Sequence, residues 1–233
     1  MNTAPHILRD FDTAIAALKG EVLNMAAKSR HNLERAVQAL MDRNRELANS
    51  VIADDDDVDE LERTIDRLGM DILVKYHPMA TDLRLVVSSM KISMNLERIS
   101  DHAVNIAKRA KKVMASPELN DVNLIEPLYT LADHLLRDAI SSYSDGNSML
   151  GASLHARDKE LDRMDKDATA QLGSRIEETE GRSQDYLHLI FVIRSLERVG
   201  DLASNIGEDA VYLERAKDLR HMSKSDREMP EQA

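Results

Sequence analysis

Two stretches of the chain, Leu96-Glu97-Arg98-Ile99-Ser100-Asp101-His102-Ala103-Val104-Asn105-Ile106 and Leu196-Glu197-Arg198-Val199-Gly200-Asp201-Leu202-Ala203-Ser204-Asn205-Ile206, are near copies 100 residues apart. A repeat of this length marks a tandem duplication, so the chain must build one plan twice. Each copy carries Glu, Asp and Asn at i, i+4 and i+8, which on a helix stacks the three side chains along one stripe. An acidic stripe repeated twice points to cation binding.

The apolar pattern makes both copies helical. Ile92, Leu96, Ile99, Ala103, Ile106, Ala110 and Val113 recur at spacings of four and three, and Val192, Leu196, Val199, Ala203, Ile206, Ala210 and Leu213 repeat the same phase. A third seam, Val58, Leu61, Ile65, Leu68 and Ile72, stops before Tyr76-His77-Pro78, where proline breaks the pattern and Thr81 or Asp82 is expected to cap the next helix. Aromatic residues make up only 3% and Trp is absent, which favours helix over strand.

The duplication extends beyond its best motif. His31, Leu33, Ala36, Asp42 and Asn44 match His134, Leu136, Ala139, Asp145 and Asn147 at a separation of 103, as Asp55 and Asp59 match Asp158 and Asp162. The predicted fold is therefore all-α, two tandem three-helix bundles. Helices are expected over roughly 6–43, 45–76 and 81–115, then 122–145, 148–179 and 183–216. The first repeat spans 1–117, the second 118–217, and 218–233 is a polar, frayed tail.

Charge and composition exclude several classes. A net charge of -11 disfavours nucleic acid, whose binding draws on clustered Lys and Arg. With no cysteine there are no disulfides and no thiolate ligands, in keeping with a reducing cytoplasm. The first residues do not read as a signal peptide, and no apolar run is long enough to insert into a membrane.

Hairpin geometry extends the stripe into a composite site. Antiparallel helices joined by a short turn bring residues equidistant from the turn to one height. Asp59 and Glu97 each lie 19 residues from Pro78, and Asp55 and Asp101 are likewise level. Around the second turn Asp158 pairs with Asp201, and Asp162 with Glu197. Four carboxylates are thus expected at one height, twice, with the stripes turned both toward their shared groove or both away. Such clusters repel unless neutralised. Mg²⁺, Mn²⁺, Ca²⁺ or iron take carboxylate ligands readily, and Asn105 or Asn205 could add an amide oxygen. The competing reading is ordinary ion pairing by Arg63, Arg98, Arg163 and Arg198. His77 reads as a turn residue rather than a ligand. His102 and His188 stand alone, without the Glu-x-x-His pairs of diiron bundles. No phosphate loop or nucleophile elbow is present.

Taken together, the two three-helix repeats, Thr81-Asp82-Leu83-Arg84 at the first hairpin tip, and the doubled Leu-Glu-Arg-[Ile/Val]-x-Asp with its downstream Asn-Ile resemble the PhoU family of phosphate-signalling regulators, from about Phe11 to Leu213. Ser100 departs from the Gly usual in that motif. The resemblance implies a cytoplasmic adaptor, at most peripheral to the inner membrane through its partners. It implies divalent or multinuclear metal (iron, zinc, manganese or magnesium) at Asp55 with Asp59, Glu97 with Asp101, Asp158 with Asp162, and Glu197 with Asp201. The implied partners are a high-affinity phosphate ABC transporter, a phosphate-sensing histidine kinase and a second copy of the chain as a homodimer. The implied role is repression of phosphate-starvation genes when phosphate is plentiful. Asp82 and Arg84 at the hairpin tip suit docking to a partner. A metal-dependent phosphoester hydrolase and a purely structural scaffold are the alternatives.

Overall fold

The structure, a computed structural model, describes residues 4–217 and 219; the expected tail, 218–233, lies outside the described residues except for position 219. The first repeat comprises α1 (Ala4–Met41), α2 (Arg45–Ala53), α3 (Asp55–Tyr76) and α4 (Ala80–Val113). A 3-10 segment, Asn120–Leu124, leads into α5 (Ile125–Asp145), α6 (Ser148–Glu178) and α7 (Ser183–Arg215) of the second. The described residues contain no strand, and none of their helices is long and apolar enough to cross a membrane.

The predicted seams are the core. Leu96, Ile99, Ala103, Ile106 and Ala110 are fully buried on α4, as are Leu196, Val199, Ala203 and Ile206 on α7. These two helices pack against one another at the centre, with α1 and α3 on α4 and with α5 and α6 on α7. Their apolar faces supply most of the stability of such helices. Where α6 crosses α7, a Cβ on Gly207 would stand 2.9 Å from the Gly151 carbonyl oxygen, and one on Gly151 2.6 Å from that of Gly207, so both positions require glycine.

Two expectations are corrected. The helix expected over 45–76 is interrupted at Asp54, which opens the run Asp54–Asp57. Aspartate is a poor interior residue but favours a first helical turn, where it faces the positive end of the dipole, and Asp55, Asp56 and Asp57 occupy that turn of α3. Arg35 fixes the break by donating to Asp54 Oδ2 and Ser50 Oγ, each at 2.5 Å. At the hairpin tip, α3 ends on His77 in the left-handed conformation (φ 49°), the expected turn residue. Neither Thr81 nor Asp82 caps α4, which starts at Ala80 after extended Met79. The Thr81 hydroxyl instead accepts from Arg84 Nη2 at 3.0 Å.

Asn44 and Asn147, matched by the duplication, are N-caps of α2 and α6. Their side chains accept from Leu47 N at 3.0 Å and Leu150 N at 3.1 Å.

Candidate metal centre

Both acidic stripes face their hairpin grooves, with Glu97 and Glu197 half-buried and Asp101 exposed at the rim. In the first repeat Asp55 and Asp59 on α3 face Glu97 and Asp101 on α4 closely enough to alter proton binding. Burial, then the charges of Asp101, Glu62, Asp59 and Asp55, pushes Glu97 up to about 7. Asp55 is also raised by burial, and here Ser100 opposes the rise, donating to Oδ1 at 2.9 Å.

The second cluster is tighter. Asp158 on α6 is 7% exposed, its Oδ1 has no hydrogen-bond partner, and burial with Asp201, Asp162 and Glu197 pushes it up to about 7. One oxygen each from Asp158, Asp162 and Asp201 can lie within 4.8 Å of one another. Gly200 stands where the first repeat has Ser100, so no hydroxyl serves Asp158. Glu197 is raised as well, by burial and then by Asp201.

Arginines neutralise only the rim of these clusters. Arg198 pairs with Asp201 at 2.8 Å and Glu197 at 3.4 Å, and Arg63 with Asp59 at 3.7 Å, but both arginines are more than half exposed. Exposed pairs contribute little, roughly 0–1 kcal/mol. They leave the buried Asp158 oxygen unsatisfied. An orphaned carboxylate oxygen beside two further carboxylates fits a hard divalent cation, for which oxygen-only donors are the preferred set. The donor set favours magnesium, manganese or calcium over softer ions.

The two asparagines part company. Asn205 lines a cavity of about 430 Å³ with Asp158, Asp201, His155, Arg98 and Arg198. Asn105 is exposed and lines a separate, basic cavity. Each cluster has a further acid that the sequence reading missed. Glu62 acts on Glu97 and Asp165 on Glu197, and the two are themselves 103 residues apart, three beyond Asp59 and Asp162. That shared register was the available signal. Asp165 is 3% exposed and paired with Arg194 at 3.1 Å.

Of the hairpin-tip residues, Asp82 is exposed, whereas Arg84 is half-buried and donates from Nε to the Leu213 carbonyl at 3.0 Å. Arg84 thus ties the tip of the first repeat to the end of α7.

The profile of the PhoU domain matches residues 22–110 and again 125–210. A phosphate-specific transport system accessory protein PhoU homolog of Pseudomonas putida is 33% identical over 93% of this chain and 85% of its own length. Homolog 1 of the same description from Thermotoga maritima is 30% identical, covering 90% of this chain and 91% of its own. The crystal structure of PhoU from Pseudomonas aeruginosa superposes with a TM-score of 0.86 at 31% identity, over 89% of this chain and 100% of that one. With the domain matched twice, once across each helical repeat, the chain belongs to the PhoU family.

Proposed function

We propose that the chain is a negative regulator of phosphate uptake and phosphate-starvation signalling, acting as a metal-binding adaptor between a high-affinity phosphate ABC transporter and a membrane histidine kinase. The observation that carries this is the PhoU domain in both repeats together with relatives described as accessory proteins of the phosphate-specific transport system. Accessory status is also why no hydrolytic role is proposed.

In this reading Asp55, Asp59, Glu97 and Asp101 hold one metal centre, and Asp158, Asp162, Glu197 and Asp201, with Asn205, hold the other. Bound divalent metal supplies compensating positive charge. The chain's own residues supply the rest: Ser100 orients the Asp55 carboxylate, and Arg198 holds Asp201 and Glu197 at the rim. The protein works in the cytoplasm as a homodimer, reaching the inner membrane through its partners, with Asp82 at the hairpin tip available for docking. Deleting the gene should derepress phosphate-starvation genes in high phosphate, and unchanged transcript levels would refute the regulatory role.

A further inference from the structure

Beyond the acidic grooves the surface carries the opposite charge in one place. Lys108, Arg109, Lys111 and Lys112 near the end of α4, Asn105 one turn before them, and Arg45 at the start of α2 line a cavity of about 480 Å³. Five of these six residues are cationic and none is acidic, in a chain of net charge -11. Cations near a helix C-terminus do complement its dipole. Arg45 is used in that way, reaching the Lys111 carbonyl at 3.5 Å. Lys111 and Lys112 lie in the last turn of α4 and complement it as well, which leaves Lys108 and Arg109 outside that account. Arg109 is set in place over the Phe191 ring, 4.3 Å from its centroid, and against His188 Nδ1 at 3.3 Å. Lys108 acts at longer range on Asp55, opposing the rise that burial gives it. His188 registers the field, since burial and then Arg109 and Lys112 lower its proton affinity.

The cavity also continues. Asn105 and Arg109 also line a neighbouring space of about 230 Å³ with His102, Arg194 and Arg198, although there Arg194 is paired with Asp165 and Arg198 with Asp201 and Glu197. Low-dielectric walls around charges of one sign focus their field on a counter-ion. A single small anion would meet only some of the five cations that line the cavity of about 480 Å³, whereas linked anionic groups reach more of them. Guanidinium forks and ammonium groups together match phosphoryl oxygens. The cavity volume is that of a small-molecule site rather than a flat docking face.

We propose that the cavity at the end of α4 binds a phosphoanhydride anion, carrying two or more linked phosphoryl groups, through Arg45, Lys108, Arg109, Lys111 and Lys112. This does not depend on metal at the acidic clusters, so the test uses chelator-treated full-length chain.

Isothermal titration calorimetry with sodium tripolyphosphate should show binding that Lys108→Ala with Lys112→Ala weakens about tenfold or more through lost charge-assisted contacts. Both lysines are exposed, so the double variant should keep its fold, which circular dichroism checks. Glu97→Gln with Asp158→Asn should leave the affinity unchanged, separating this site from the metal centres. ATP that competes with tripolyphosphate marks a nucleotide as the source of the phosphoryl chain, and ATP that fails to compete marks an inorganic one; either supports the site. Inorganic phosphate binding as tightly as tripolyphosphate, no binding by the parent chain, or unchanged affinity in the lysine variant would overturn it.

Discussion

Arg30 donates from Nε to Asp133 Oδ1 at 2.6 Å and from Nη2 to Oδ2 at 3.2 Å, and the two residues hold the same position in the two repeats, 103 apart. Equivalent positions meet in this way near a two-fold axis, as in an isologous dimer. Two identical copies would face Arg with Arg or Asp with Asp there. With Arg on one repeat and Asp on the other, the contact is a bidentate ion pair. Asp133 is mostly buried and Arg30 about a third exposed.

Asp133→Ala should destabilise the chain by about 1–2 kcal/mol, a partly screened value for a charge-assisted pair. The exchange Arg30→Asp with Asp133→Arg should recover most of that loss in urea unfolding. Additive losses in the exchanged protein would rule out a pairing across the axis.

The acidic clusters should make the metal-free chain less stable as pH rises. Folding raises Asp158 from 3.8 and Glu97 from 4.5, each to about 7 and chiefly by burial. A carboxyl raised on folding contributes stability that is fully present below its unfolded pKa and lost as pH climbs through the folded one. Between roughly pH 4 and 7 the chelator-treated protein should therefore lose stability. Asp158→Asn should flatten that slope and be the more stable protein at about pH 8, by on the order of 1–3 kcal/mol. Thermal melts across this range check it; a flat profile in the parent chain would count against buried, unpaired carboxyls.

Ser100→Gly should raise Asp55 further, because it removes the hydroxyl that donates to the charged form. The readout is the carboxyl carbon of Asp55 in an NMR pH titration, with an upward midpoint shift expected and no shift contradicting the assignment. The reverse change, Gly200→Ser, is predicted to cost packing instead. Its Cβ would meet Leu161 Cδ2 at 2.5 Å and Asp158 Oδ1 at 2.9 Å.

Arg84→Ala should loosen the end of α7 by freeing the Leu213 carbonyl. A loss of about 1 kcal/mol is expected for one such hydrogen bond, with faster amide exchange over the last turn of α7. Unchanged exchange there would show that the contact does not hold the helix end.

The sequence made the hairpins legible because identity and register agreed. Counting from Pro78 placed Asp59 opposite Glu97, and the 103-residue offset matched Asn44 to Asn147, which the structure shows to be N-caps. Asn105 and Asn205 hold the same i+8 position, yet only Asn205 lines the acidic cavity while Asn105 lines the basic one, a difference that spacing along a single helix does not encode. Other features were hidden by divergence. Arg35 and Asp54 pair within the first repeat, and their counterparts Asp138 and Arg157 pair in the second with the charges reversed. A search for identical residues cannot see that conserved contact. The serine in place of glycine at position 100 looks minor in sequence, yet its hydroxyl sets the two clusters apart.

Metal content is the most direct test of the two composite centres. After chelation and re-equilibration with Mn²⁺, elemental analysis should find divalent metal on the parent chain. Asp59→Asn with Glu97→Gln should remove the share held by the first repeat, Asp158→Asn with Asp201→Asn that held by the second, and all four changes together should leave none. A parent chain without bound metal, or a fourfold variant that retains the full amount, would contradict the account.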